Sequence, residues 1–249
     1  MTTRPNGVIL YEGPSKLDGQ PIVVIAVGLK TKSSNTKTGA MVQTYILRTD
    51  MTPIAAVKSG ADASICGDCI HRGDGTGAGR SCYVTLIHGP ARVYDGYKRG
   101  IYPKASAFEA RELFAGKMVR LGTYGDPVAA PFAMWSIATQ KAAGWTGYTH
   151  QWRGIEPAWS KLVMASADSL DDMNAAHDLG YRTFRVTSDA HENIKGLEII
   201  CPASDEAGKK TECFECKACM GTSAKAKVSI QIAAHGTGKK YVNAEETAG

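Results

Sequence analysis

Ser106-Ala-Phe-Glu-Ala-Arg-Glu-Leu-Phe-Ala-Gly116, followed at once by Lys-Met118-Val-Arg-Leu-Gly-Thr-Tyr124-Gly-Asp126, packs a helix start, a helix stop, a strand and a polar strand end into one stretch. Ser106 and Glu109 stand at capping-box spacing, and Gly116 is the residue that ends such a helix. The apolar Met118-Val-Arg-Leu that follows reads as a buried strand. This unit then recurs. Pro131 to Ala143 reads as a helix closed by Gly144, with a strand through Trp145-Thr-Gly-Tyr148. A short helix near Pro157 leads into Leu162-Val-Met-Ala165, and Ser169-Leu-Asp-Asp172 caps a helix that carries Leu170, Met173, Ala176 and Leu179 on one stripe and ends at Gly180. Further strands are Arg182-Thr-Phe-Arg-Val186, Leu197-Glu-Ile-Ile200 and Val228-Ser-Ile-Gln-Ile232. Alternating helices and strands predict parallel strands joined by crossover helices. The expected fold is α/β, a full or partial (β/α) TIM-like barrel with an N-terminal β-hairpin region and cysteine-rich metal-binding loops.

Upstream the texture differs. Gly7-Val-Ile-Leu-Tyr11, Pro21-Ile-Val-Val-Ile-Ala-Val27 and Met41-Val-Gln-Thr-Tyr-Ile-Leu47 are rich in β-branched residues and separated by Gly, Pro, Ser and Asn, so they read as strands and turns. Lys30 to Gly39 reads as a hairpin loop, and its Lys37-Thr-Gly lacks the earlier glycine of a phosphate-binding loop. We expect one domain over residues 1–249: a β-rich part at 1–60, a first cysteine loop at 61–105, and a barrel-like part at 106–235 that includes a second cysteine group.

The cysteines carry the chemistry. Cys213-Phe-Glu-Cys216-Lys-Ala-Cys219 places three thiols at one-turn intervals, with Cys201 upstream before Pro202. Such a run can wrap three irons of a [4Fe-4S] cubane while the remote cysteine reaches the fourth. Cys66-Gly-Asp-Cys69, with Cys82 beyond the glycine-rich Gly73 to Gly79, supplies the remaining three of seven cysteines. A cubane on that group would leave one iron without a protein thiolate, open to a substrate or small cofactor. The competing ligand set is zinc, as Cys3His with His71 or His88. An odd cysteine count without a signal-peptide-like start speaks for metal binding or catalysis in a reducing compartment rather than for a disulfide framework.

With 43% hydrophobic and 21% charged residues the composition is that of a globular protein, and no stretch approaches the roughly 20 apolar residues of a membrane span. A soluble, cytoplasmic protein is expected. The formal charge of +5 permits an acidic partner. Lys209, Lys210, Lys217, Lys225, Lys227, Lys239 and Lys240 cluster around the second cysteine group, either as a solvated face or as a nucleic-acid-contacting patch.

Polar groups stand at the expected strand tips: Asp126, His150, Asp168, Ser188 with Asp189, Cys201 and His235. In β/α barrels those tips build the active site, although Asp and Ser also cap helices. Asp126, His150 and Asp168 are the candidate substrate-facing residues. His177 falls in a helix and His191 in a loop, with structural or solvated roles.

A cysteine-bearing early loop, then Tyr124-Gly125-Asp126-Pro127 at a strand end, then repeated β/α units, is similar to the order of parts in radical S-adenosylmethionine barrels. That resemblance implies a cofactor-binding strand end at Tyr124, Gly125 and Asp126. The Cys-x2-Cys-x12-Cys spacing departs from the Cys-x3-Cys-x2-Cys usual in those enzymes. Ile65-Cys-Gly-Asp-Cys-Ile-His-Arg72 with Ser81-Cys-Tyr83, Cys201-Pro202 and the Cys213 run also resembles uncharacterised bacteriophage proteins akin to the gene-product-eighty-eight family. That likeness implies a viral protein acting in the host cytoplasm. The expected function is therefore an iron–sulfur protein with two [4Fe-4S] sites, a redox or radical-type enzyme that needs an electron donor. The alternative is a zinc-stabilised nucleic-acid-binding protein.

Overall fold

The computed structural model describes residues 5–31, 38–189, 192–208, 210–223, 225–226, 228–236 and 238–242. Most of the expected Lys30–Gly39 loop, together with His191, Lys209 and Lys227, lies outside these residues.

The chain opens with an antiparallel meander, β1 (Gly7–Pro14), β2 (Pro21–Val27) and β3 (Val42–Arg48). Ile22 through Ala26 of β2 are fully buried, which explains why this strand reads as an unbroken apolar run rather than an alternating one. Each such branched side chain contributes roughly 1.5–3 kcal/mol of burial. After β3 the chain forms α1 (Pro53–Lys58), α2 (Ala63–Cys66) and α3 (Gly89–Lys98), and these carry the first cysteine group. Next come α4 (Ala107–Leu113) and β4 (Met118–Tyr124), the latter parallel to β3. At the start of α4 the Ser106 hydroxyl accepts from the Glu109 amide while the Glu109 carboxylate accepts from the Ser106 amide, which is the reciprocal cap the sequence predicted.

From β3 onward every neighbouring pair of strands is parallel. After β4, α5 (Phe132–Ala138) leads to β5 (Gly144–Thr146) and β6 (Tyr148–Thr149). These two are nearly one strand, divided at Gly147: β5 pairs with β4, and β6 pairs with β7 (Met164–Ala167). A Cβ at Gly147 would sit 3.0 Å from Val163 Cγ1 and 3.2 Å from Leu121 Cβ, so the chain passes from one sheet to the other where only glycine fits easily. α6 (Leu170–Asp178) and β8 (Thr183–Thr187) follow. The chain then makes β9 (Glu198–Ile200) and α7 (Cys213–Cys216), and returns as β10 (Ser229–Ala233) between β8 and β9.

The result is two five-stranded sheets, β1-β2-β3-β4-β5 and β6-β7-β8-β10-β9, and the second is entirely parallel. They do not close into a full barrel. Among the described residues β9 pairs only with β10, while the β1 edge is partly covered where Ile9 exchanges backbone bonds with Pro103 and Ala105. Closure needs a consistent tilt and stagger around the ring. Here the antiparallel meander occupies one flank, and the last strand inserts inward rather than extending the edge. Regular helices also serve fewer crossovers than expected: short 3-10 turns, Gln151–Arg153 and Pro157–Lys161, link β6 to β7. The predicted helical stripe is half as wide as drawn, because Met173 and Ala176 are buried while Leu170 and Leu179 are 48% and 50% exposed.

Candidate functional site

Strand alternation lines one face with a cavity of about 340 Å³. Arg120, Gly122 and Tyr124 reach it from β4, Phe184 and Val186 from β8, and Ile232 and Ala234 from β10 and its end. Residues two apart share a face, so the period-2 pattern decides which side chains meet there. Both cysteine groups open onto this cavity: Cys66, Cys69 and Cys82 from the first, and Cys201, Cys213 and Cys219 from the second. None of the seven cysteines is in a disulfide.

The first group is held by its glycines and one arginine. Gly67, with φ +61°, lies so close to the Gln151 amide that a Cβ would fall 2.2 Å from its nitrogen. Arg72 ties the loop from within, donating to the Gly67 carbonyl at 2.8 Å, the Gly60 carbonyl at 2.9 Å and the Asp62 carboxylate at 2.7 Å. The Asp126 amide donates to the Ile65 carbonyl at 2.6 Å, fastening the end of β4 beside Cys66. Burial pushes the Cys66 thiol well above its ordinary range, and the neighbouring Cys69 and Cys82 push it the same way. Burial also raises Cys82, against the pull of Arg80. Metal binding to such thiols releases their protons and replaces an unfavourable buried anion with a coordinated one.

The second group sits elsewhere than expected. Cys201 was expected at a strand tip, yet the Cys213 to Cys219 segment that joins it lies under the opposite edge. Arg182, which precedes β8, donates to the carbonyls of Ala218 and Met220 at 2.8 Å each, and a Cβ at Gly144, the first residue of β5, would meet Met220 Sδ at 3.3 Å. Cys201 alone follows a strand, its amide bonded to the Gln231 carbonyl in the middle of β10. The reason is topological: β10 runs parallel to β9, so the connecting segment must travel back to the strand starts. Lys217 has φ +55°, the only positive value at a non-glycine among the described residues, and turns the chain between Cys216 and Cys219. Burial pushes the Cys219 thiol up to about 12; the Tyr148 hydroxyl bonded to it acts the other way, while Cys201, Cys213 and Cys216 raise it further. Cys201, Cys213 and Cys219 also pack in one apolar cluster.

Between the groups stands Arg120, bonded to the Tyr83 hydroxyl next to Cys82. Burial works against its charge, but Tyr83, Tyr148, Cys213 and Cys219 outweigh that and hold its pKa above the usual arginine value. Its Nε and the Tyr124 hydroxyl are buried without a hydrogen-bond partner. An unsatisfied buried donor costs about 1–3 kcal/mol.

The three predicted substrate-facing residues have unequal roles. Asp126 lines the cavity, but its Oδ1 accepts from the Val128 amide at 3.0 Å and its Oδ2 from Thr149 Oγ1 at 2.8 Å and the His150 amide at 3.1 Å. It is a positioning residue for the turn after β6. Burial raises its carboxyl to about 6, against these bonds. His150 and Asp168 are neighbours, His150 Nε2 lying 3.3 Å from Asp168 Oδ2 and 3.9 Å from Cys69 Sγ. Burial disfavours the charged ring, yet Cys69 and Asp168 hold His150 well above its ordinary value. His71 joins them, with Nε2 3.5 Å from Asp168 Oδ1. His88 is exposed and outside the cavity, so the structure does not bring it to the first cysteine group. Ser188 and Asp189 also lie outside the lining, bonded within their own turn, whereas His235 reaches it. His177 bonds Ser229 Oγ at 2.9 Å, as a structural histidine does.

Sequence reasoning passed over Arg120, Tyr83, Tyr148 and Arg182. A signal existed for two of them: an arginine inside an otherwise apolar strand, as in Met118-Val-Arg-Leu and Arg182-Thr-Phe-Arg, needs a buried polar partner. Of the expected lysine patch, Lys210, Lys217, Lys225, Lys239 and Lys240 are all exposed, as both a solvated face and a contacting patch require. No described helix is long and apolar enough to cross a membrane.

Fold and site together define a mixed α/β protein whose open, mostly parallel sheets enclose a cavity between two groups of cysteines, none of them in a disulfide. No family model, no curated protein and no solved structure matches this chain.

Proposed function

We propose that this chain is an iron–sulfur protein, with one [4Fe-4S] cluster on Cys66, Cys69 and Cys82 and a second on Cys201, Cys213, Cys216 and Cys219. On this reading it carries out redox or radical-type chemistry on a substrate held between them. The observation that carries the reading is the convergence of both cysteine groups on one cavity of about 340 Å³. Enclosure of that kind suits a small molecule. Cluster chemistry would be supplied by the irons; the chain's own part is to hold them, exclude water and orient the substrate through Arg120 and Tyr124. The Arg120 and Arg182 guanidinium groups near Cys219 favour an anionic thiolate-bound group at the second site.

Spacing supports a cluster over a single zinc. Tetrahedral zinc, with Zn–S bonds of about 2.3 Å, requires sulfurs about 3.8 Å apart. Among the described residues no three cysteine sulfurs come within 4.8 Å of one another. A cubane, which puts each thiolate on its own iron, takes the wider spacing. With three cysteines the first cluster would keep one iron free of protein sulfur, the position at which S-adenosylmethionine would bind beside Tyr124, Gly125 and Asp126. The origin proposed with this reading is a bacteriophage, on the sequence resemblance alone.

The test is metal and sulfide analysis of anaerobically purified protein. About eight irons and eight acid-labile sulfides per chain are expected for two cubanes, with visible absorption that bleaches on reduction. Stoichiometric zinc without sulfide would overturn the reading and leave the zinc-stabilised nucleic-acid-binding alternative. A change in the reduced first cluster's electron paramagnetic resonance on adding S-adenosylmethionine, lost in Cys66→Ser, would extend it to radical chemistry.

A further inference from the structure

His71, His150 and Asp168 come from three separate parts of the chain: the first cysteine loop, the end of β6 and the end of β7. One donor atom from each lies within 4.8 Å of the other two. We infer that these three side chains form a mononuclear site for a divalent first-row transition metal, beside the first cysteine group, whose Cys69 Sγ lies 3.9 Å from His150 Nε2, and with its open positions toward the cavity.

Three observations carry the inference. The first is distance. A charge-assisted hydrogen bond between a histidine and a carboxylate settles at about 2.7–2.9 Å. Here His71 Nε2 stands 3.5 Å from Asp168 Oδ1, and His150 Nε2 stands 3.3 Å from Oδ2 and 3.4 Å from Oδ1. Metal–nitrogen and metal–oxygen bonds of about 2.0–2.2 Å place adjacent ligand atoms about 3–3.5 Å apart. The trio is thus spaced as ligands around a shared centre, wider than direct partners. Second, the ligands are oriented from behind. His71 Nδ1 is bonded to Ser81 Oγ at 2.7 Å, which presents Nε2 to the site. The His150 backbone is pinned by Asp126 Oδ2, and the Asp168 amide donates to Asp172 Oδ2 at 3.1 Å. Outer contacts of this kind fix the tautomer and the aim of metal-binding imidazoles. Third, the site borders the cavity, since His71 and His150 both line it. Two histidines and one carboxylate with free positions is the ligand set of non-haem Fe(II), and the same donors accept Co(II) and Zn(II).

The site goes beyond the iron–sulfur reading and does not depend on it. Its test uses holo-protein with oxidised, diamagnetic clusters, titrated anaerobically with Co(II) and followed by the high-spin cobalt electron paramagnetic resonance signal. Wild type should take up one equivalent. Asp168→Asn should abolish stoichiometric binding, and Ser81→Ala should weaken it by about 10–100-fold, with iron and sulfide contents unchanged in both. Should Asp168→Asn lose sulfide or its folded circular dichroism, Ser81→Ala, which keeps every ligand, decides the matter. Failure of wild type to bind a stoichiometric equivalent, or equal affinity in wild type and Ser81→Ala, would overturn the assignment. Sulfide without cobalt binding would reject this site and keep the clusters, whereas in protein without sulfide, cobalt uptake that Asp168→Asn abolishes would keep this site and reject the clusters, the variant separating it from uptake by bare thiols.

Discussion

Replacing Arg182 with methionine tests how the second cysteine group is anchored. The side chain is buried, and the residue is only 4% exposed. Its guanidinium donates to the carbonyls of Ala218 at 2.8 Å, Met220 at 2.8 Å and Val228 at 2.9 and 2.6 Å, spanning both ends of the segment that holds Cys219. Methionine preserves the apolar stem and removes every donor. Each orphaned buried carbonyl costs about 1–3 kcal/mol. Three of them, offset by relief from burying a guanidinium whose charge burial disfavours, give about 3–5 kcal/mol. For a chain of this length that lowers the melting midpoint by about 6–20 °C. The assay is anaerobic thermal unfolding followed by far-ultraviolet circular dichroism, with iron and sulfide measured on the same samples. Sulfide should fall by about half, because the first cysteine group rests on Arg72 instead. A midpoint within 2 °C of wild type, with full sulfide, would show that Arg182 does not hold the segment.

Glu198 receives two bonds from Arg185, at 2.9 and 2.8 Å, with both side chains buried, so Glu198→Ala should cost about 3–5 kcal/mol in urea unfolding by removing the carboxylate paired with a buried guanidinium. Gly125 has φ +87°, and a Cβ there would lie 2.7 Å from Ile46 Cβ and 3.2 Å from the Ile65 carbonyl. Gly125→Ala should therefore destabilise by about 2–3 kcal/mol and reduce metal content at Cys66, read by denaturation and iron analysis. Lys217→Gly should stabilise by about 0.5–1 kcal/mol in the same urea assay by relieving the left-handed conformation. Stripping the metals anaerobically should lower hydrogen-exchange protection between Cys201 and Val228 more than in β2, whose core holds none of the second group's cysteines.

Local chemistry was enough to place most elements. Ser106 with Glu109, Ser169 with Asp172, and the apolar run of β2 announce themselves because caps and continuous burial depend on neighbours a few residues apart. The two cysteine groups were legible for the same reason, since ligand spacing is a property of the chain alone. Where the groups would sit was not. The sequence of βα units suggests strands added in order, but β10 inserts between β8 and β9; because it runs parallel to β9, the connection carries Cys213 to Cys219 to the strand starts while Cys66 and Cys69 remain at the ends near His150. Strand order is settled by which faces bury best against each other, a sum over contacts distant in sequence that no window of residues contains. Barrel closure is likewise a global condition on tilt and register, so repeated units could predict the parallel sheet without predicting whether it closes. The same holds for His71, His150 and Asp168. The sequence offered His71 as a zinc ligand of the first cysteine group and His150 and Asp168 as substrate-facing strand tips, and only the tertiary fold brings the donor atoms of the three together.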